Sequence, residues 1–255
     1  MSRDLCGKTV IVTGGGSGIG RAAALACAVA GARVVVADIG VAAGEKTIAA
    51  IRQSGGDAIF VATNVADEGQ VKALVDAALG RYGRLDGAFN NAGVSQTNVM
   101  LHELTAEQWR RIQSVNYDGV FFCMKHEIRA MLLTGGGAIV NTSSTLGRVA
   151  MRSAADYCGS KGGVLGVTKA AAVDYGDKRI RVNAILPGAV DTPMVQALVS
   201  DPQFADSMEK VRASHPLGRI GVPEEIAAAA VWLLSDRASF VTGAELAVDG
   251  GFLAI

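Results

Sequence analysis

Lys8-Thr9-Val10-Ile11-Val12-Thr13-Gly14-Gly15-Gly16-Ser17-Gly18-Ile19-Gly20 is the stretch that decides the fold. Residues 8–13 make a short β-branched run of strand length, stopped by glycines. Residues 18–30 come next as an alanine-rich helix. A strand that passes so quickly into a helix sets the helix N-terminus beyond the strand's carboxyl end. The unpaired N–H groups there favour an anion, and glycine lets the backbone come close to a pyrophosphate. The spacing is T-G-x-x-x-G-x-G and not G-x-G-x-x-G, because Ile19 stands where the latter needs glycine. A plain tight connection would use the same glycines, so the downstream chain must decide.

Working outward, residues 33–38 read as a second strand, 41–54 as a helix closed by Gly55-Gly56, and 58–62 as a third strand. Asp67 caps a helix to residue 82, and 85–89 is a fourth strand ending at Asn90-Asn91-Ala92-Gly93. Residues 105–133 read as one long helical tract stopped by three glycines. Then come a strand at 138–141, a helix at 156–175 and a strand at 180–186 halted by Pro187-Gly188. Residues 189–215 are less regular. Val222-Pro223-Glu224-Glu225 opens a further helix, with proline in its first turn and acids at its positive end, and 245–248 is the last strand. Apolar strands alternating with helices through short connections predict an α/β fold: a single Rossmann-like domain over 1–255, with a doubly wound parallel sheet flanked by helices on both faces.

Composition narrows the function classes. The chain is half apolar but only 5% aromatic, so Ala, Val, Leu and Gly must build the core. With 24 basic and 24 acidic residues the net charge is zero, which argues against a nucleic-acid partner and against a basic membrane-binding face. Cys6, Cys27, Cys123 and Cys158 lack metal-ligand spacing, and His102, His126 and His215 stand apart, so no metal is expected. Reduced cysteines, charged residues ahead of the first apolar run and no span-length apolar segment predict a soluble cytoplasmic protein.

Two further positions point to chemistry. Asp38, at the end of the second strand, can accept both ribose hydroxyls of an adenosine and would repel a 2′-phosphate. No Arg or Lys stands directly after it, so NAD(H) is expected over NADP(H). In Tyr157-Cys158-Gly159-Ser160-Lys161 a phenol and an ammonium sit four apart, on one helix face. A tyrosine with a pKa near 10 is a poor base at neutral pH, and a neighbouring cation lowers that value.

With these residues in place, the chain resembles the short-chain dehydrogenase/reductase family over essentially its whole length. Thr13 to Gly20 matches the family's T-G-x-x-x-G-x-G, which implies Gly14, Ser17, Gly18, Ile19 and Gly20 at the cofactor. Asn90-Asn91-Ala92-Gly93 matches N-N-A-G, which supports the sheet and borders the adenosine, implying Asn90, Ala92 and Gly93. Pro187-Gly188-Ala189-Val190-Asp191-Thr192 matches P-G-x-x-x-T, which implies Pro187, Val190 and Thr192 at the nicotinamide carboxamide. Asn64-Val65 departs slightly, since many relatives carry aspartate there; an amide oxygen can still accept from the adenine amino group.

The catalytic set implied is Asn116, Ser144, Tyr157 and Lys161. Ser144 is chosen over Ser143 because it lies in S-x-x-G and 13 residues before Tyr157. Tyr157 would be the acid/base, Lys161 would lower its pKa and bind the nicotinamide ribose, Ser144 would hold the substrate oxygen, and Asn116 a relay water. The resemblance implies a homotetramer built on 105–133 and the Tyr157 helix. It also implies a small hydrophobic substrate, an alicyclic, steroid-like or dihydrodiol-like secondary alcohol or its ketone. Substrate contacts are expected from Ser95 and Gln96, residues 148–153, and the loop 189–215 with Met194, Val195, Leu198, Val199, Phe204 and Met208. Arg148 and Arg152 are the cations of these loops ahead of Lys210. Two rivals are a 3-oxoacyl-type reductase, which would want NADPH and a basic docking patch, and a non-catalytic NAD-binding sensor, which would lack a catalytic residue.

Overall fold

In the computed structural model, which describes residues 3–199 and 207–255, all seven expected strands form. They are β1 (Thr9–Thr13), β2 (Arg33–Asp38), β3 (Ala58–Ala62), β4 (Gly87–Asn90), β5 (Gly137–Thr142), β6 (Ile180–Pro187) and β7 (Glu245–Val248). All pairings are parallel, and the order is β3-β2-β1-β4-β5-β6-β7. Sequence order therefore reverses between β1 and β4, where Val10 pairs with both Val34 and Gly87. A crevice opens beyond the carboxyl ends at such a reversal.

Successive strand side chains alternate faces, and both faces are covered. Val10 and Val12 pack with α1 (Gly18–Val29) and α9 (Pro223–Leu234), through Ala23, Cys27, Ala230 and Leu233. Ile11 points the other way, into a cluster with Leu74 and Val75 of α3 (Glu68–Tyr82) and Met124 and Met131 of α5 (Gly119–Thr134). Each fully buried Val or Ile contributes about 2 kcal/mol, so small aliphatic residues suffice for the core. Helix starts behave as read: Asp67 accepts from Gln70 N at 3.1 Å, and Glu225 accepts from Val222 N at 2.9 Å. The Arg219 pair and that backbone bond hold the Glu225 carboxyl down at about 2. Among the described residues no helix is long and apolar enough to cross a membrane.

Two segments differ from expectation. The tract 105–133 is not one helix: α4 (Ala106–Gln113) passes through a π-helical turn, Ser114–Asp118, into α5. The cause is tertiary. Asn116 inside the turn bonds both backbone groups of Val94, at 2.8 Å to N and 2.9 Å to O. The stretch 189–215 contains two short helices, α7 (Pro193–Val199) and α8 (Ser207–Ala213). Phe204, and the side chains of Leu198, Val199 and Met208, lie outside the described residues.

A buried polar network ties the middle of the sheet to the helices over it. Asn90 Nδ2 on β4 donates to Glu127 Oε2 on α5 at 2.9 Å and to Asn141 Oδ1 on β5 at 3.0 Å. Asn141 Nδ2 donates onward, at 2.9 Å, to Thr168 Oγ1 on α6 (Ala155–Tyr175). Among the described residues, Asn90 Oδ1 and Glu127 Oε1 find no partner. Glu127 is 1% exposed, and burial pushes its carboxyl from 4.5 up to about 8, against the pull of the Asn90 bond.

The folded state thus holds a proton that the unfolded chain releases near pH 4.5. The stabilisation from this group is complete below that pH and is lost as pH rises through about 8. Glu127→Gln keeps the shape and removes the titration. Its melting temperature should lie close to wild type at pH 5 and exceed it by about 10 °C at pH 9, since the rise from 4.5 to about 8 is equivalent to about 4–5 kcal/mol. Parallel pH profiles for the two proteins would refute this account.

Candidate active site

A cleft of about 410 Å³ lies at the carboxyl ends of β1, β4, β5 and β6. Its cofactor-like end is built from the glycine turn. Gly14 has φ +65°, and a Cβ on Gly20 would stand 2.1 Å from the Gly14 carbonyl oxygen, so α1 starts in direct contact with the turn. Ser17 precedes α1 without capping it, and no acid occupies the first turn. The positive helix end is therefore left to the cleft, with Gly14, Ser17, Gly18 and Ile19 lining it. Gly20 does not line the cleft; its place is in packing.

Asp38 braces the same turn while bordering the cleft. Its Oδ2 accepts from Gly16 N and its Oδ1 from Gly40 N, both at 2.8 Å. The next residue, Ile39, is 74% exposed and offers no charge to a 2′-phosphate. Asn64 and Val65 line the wall beyond; Asn64 Oδ1 accepts from Ala66 N at 3.1 Å, which leaves one lone pair. These groups fit an adenine dinucleotide: a backbone cradle closed to side chains, an uncapped helix, and a carboxylate at the end of the neighbouring strand.

Two residues that the motif reading did not single out hold the crevice together. Thr13 Oγ1 accepts from Asn91 N at 3.0 Å and Ala92 N at 3.1 Å, and Asn91 Nδ2 donates to Thr13 O at 3.2 Å. Asn91, Ala92 and Gly93 line the cleft. The Asn90 side chain, 2% exposed, is directed to Glu127 and Asn141 in the sheet interior.

At the opposite end the structure brings Ser144, Tyr157 and Lys161 together on one wall, with Thr142 and Ser143 beside them. Ser143 Oγ donates to the Lys161 carbonyl at 2.8 Å and is thereby used structurally. Ser144 Oγ accepts from Leu146 N at 3.1 Å and lines the cleft beside Tyr157, where it favours the phenolate, so the second of the two serines is the one placed for the reaction. Lys161 Nζ lies 5.6 Å from the Tyr157 ring centre and donates to Thr142 O at 2.8 Å. Asn116 is fully buried behind Gly93 and does not itself line the cleft; a Cβ on Gly93 would meet Asn116 Oδ1 at 3.2 Å and Lys161 Nζ at 3.6 Å.

The expected drop in the Tyr157 pKa is absent from this arrangement. Burial raises the phenol to about 12, overriding Ser144, which favours the phenolate. Burial also lowers Lys161 to about 8, and its ammonium is turned to the Thr142 carbonyl instead of the phenol oxygen.

Pro187, Val190 and Thr192 line the cleft between these two ends. His215, unmarked by any motif, pins this segment: its Nε2 accepts from Ala189 N at 3.1 Å, which leaves the ring hydrogen on Nδ1 facing Val211 O at 2.6 Å. Arg148 is half exposed, with its Nε bonded to Glu245, whose side chain is 4% exposed and also pairs with Lys169 at 2.5 Å. Ser95 and Gln96 sit beyond Val94, which is the lining residue of that loop.

A family model described as enoyl-(acyl carrier protein) reductase matches residues 14–253. A 2,5-dichloro-2,5-cyclohexadiene-1,4-diol dehydrogenase of Sphingobium indicum is 50% identical over 254 residues, covering 99% of each chain. A cis-4-hydroxycyclohexanecarboxylate dehydrogenase of Sinomonas cyclohexanicum is 44% identical over the full length of both. The crystal structure of levodione reductase superposes with a TM-score of 0.95 at 37% identity, covering 98% of this chain and 99% of that one. Matched end to end in sequence and in fold, this oxidoreductase belongs to the short-chain dehydrogenase/reductase family.

Proposed function

We propose that the protein is an NAD(H)-dependent dehydrogenase that interconverts an uncharged alicyclic secondary alcohol and its ketone. The observation that carries this reading is that Ser144, Tyr157 and Lys161 share one wall of the same cleft that receives the uncapped end of α1. The nicotinamide cofactor supplies the hydride acceptor. Backbone groups of Gly14, Ser17, Gly18 and Ile19 take the pyrophosphate, Asp38 the ribose hydroxyls, and Asn64 with Val65 the adenine. Ala92 and Gly93 flank the adenosine, while Pro187, Val190 and Thr192 hold the carboxamide.

Ser144 fixes the substrate oxygen and Tyr157 removes its proton in oxidation, or returns one in reduction. A phenol near 12 needs help to do this at neutral pH. Lys161, whose Nζ lies 5.6 Å from the Tyr157 ring, would provide it by its charge, which favours the phenolate, and would also hold the nicotinamide ribose. Asn116, clamped on Val94, anchors the water through which the proton leaves.

Substrate charge is read from what surrounds the cleft. Among the described lining residues only Asp38 and Lys161 carry charge. Arg148 is paired with Glu245, and residues 200–206 contain Asp201 and Asp206 but no Lys or Arg. A buried carboxylate without a partner costs several kcal/mol. Val94, Val115, Met194 and Val195 provide apolar walls, and the relatives' names add the alicyclic ring. Met194 and Val195 belong to the substrate region proposed at 189–215. Four unpaired cysteines suit the cytoplasm. Phe121 on α5 and Val173 on α6, both exposed, suit a homotetramer through these helices.

With NAD and cyclohexanol, absorbance at 340 nm should show turnover, and Tyr157→Phe should lower kcat by at least about 10³-fold while NAD still binds. Retained turnover in that variant would remove Tyr157 from the mechanism. In the same assay, cis-4-hydroxycyclohexanecarboxylate should give a kcat/KM about tenfold or more below that of its methyl ester; equal values would defeat the neutral-substrate reading. Asp38→Ser with Ile39→Arg should turn the preference from NAD toward NADP, read as the ratio of the two kcat/KM values. Light scattering on a sizing column should report four copies.

A further inference from the structure

We infer that Asp156 is a positioning residue, a buried clamp that registers the loop walling the substrate cleft against Tyr157. It rests on the acid/base reading of Tyr157 and lies outside every motif of the cofactor and catalytic sets. Asp156 is the second residue of α6 and is 1% exposed. Its Oδ1 accepts from Tyr157 N at 2.8 Å. Its Oδ2 accepts twice from Thr97, from the backbone N at 3.0 Å and from Oγ1 at 2.6 Å. The backbone carbonyl of the same residue accepts from Gln113 Nε2 at 2.9 Å, at the end of α4.

One carboxylate thus joins the residue that carries the phenol to the loop after β4. That loop is fastened at a second point, three residues earlier, where Asn116 grips Val94 on the cleft wall. Just past Thr97, Asn98 adopts the left-handed conformation, with φ +62°. The segment Val94 to Thr97 is therefore strung between two fixed ends, one of which is the start of the Tyr157 helix. Ala154 precedes that helix without a side-chain cap, so Asp156 also supplies the acceptor that the helix start needs. A carboxylate is required in particular: three N–H or O–H donors converge on it, and an amide would turn its NH₂ toward at least one of them.

Two arms separate the clamp from the activity it serves. Hydrogen exchange needs no substrate: in Asp156→Asn the peptide 93–98 should exchange about tenfold faster, in Thr97→Val about threefold faster, and strand β1 should not change. Thr97→Ser, which keeps the hydroxyl, should behave as wild type. In the kinetic arm, kcat/KM for cyclohexanol should fall by the same factors while the KM for NAD stays constant, and Thr97→Ser should retain wild-type values. Unchanged exchange across 93–98 in both Asp156→Asn and Thr97→Val would overturn the clamp. So would a KM for NAD that rises in step with the loss on alcohol, since that marks general loosening. If Asp156→Asn does not fold, Thr97→Val and Thr97→Ser decide alone. If wild type turns over no alcohol, the proposed function fails, and exchange still decides the clamp.

Discussion

The contact between Gly20 and the carbonyl of Gly14 is the constraint on which the rest of the structure depends. No side chain fits there, since a Cβ would sit 2.1 Å from the oxygen, so strand and helix meet backbone to backbone. That closeness aims the bare end of α1 at the point where the sheet order reverses. Thr13 then sews the end of β1 to the start of the loop after β4, with three hydrogen bonds to Asn91 and Ala92. The crevice is a product of covalent geometry first and of polar stitching second. Packing by small aliphatic residues on both sheet faces holds it open.

The sheet interior and the reactive wall use polarity in opposite ways. Around Asn90, Asn141 and Thr168, hydrogen bonds are closed on each other and fix strands to helices, with Glu127 as the group that bears the cost of burial. At the reactive wall, the buried groups keep unequal partners. Tyr157 is held up by desolvation and Lys161 down by it, so burial disfavours both the phenolate and the ammonium.

Much of this is readable from the chain because the decisive signals are local. Strands show as β-branched runs ended by glycine, and Gly14, Asp38, Ser144, Tyr157 and Lys161 announce themselves by type and spacing. The positions that mislead depend on partners far away. Asn90 and Asn91 look equivalent in sequence, yet Asn90 ends β4 and meets Glu127, while Asn91 begins the loop beyond it and meets Thr13. Arg148 reads as a loop cation because its acid, Glu245, is 97 residues away. His215 and Asp156 carry no local mark at all, since their roles exist only through Ala189 and Thr97. The direction of the Tyr157 shift is set by burial, which spacing alone does not encode.

The π-helical turn Ser114–Asp118 has a bearing on which changes the chain can tolerate over evolutionary time. A π turn holds one residue more than the helix around it would. Each residue added to or removed from a helix rotates its later turns by about 100°. A single-residue deletion between α4 and α5 would straighten the helix, and would also swing either Asn116 off Val94 or the Met124 and Met131 face off the sheet. The spacing between these two halves is therefore a phase relation. Substitutions in the segment at positions other than Asn116 can be absorbed singly, whereas a change in its length must be compensated at once or it dismantles core and cleft together.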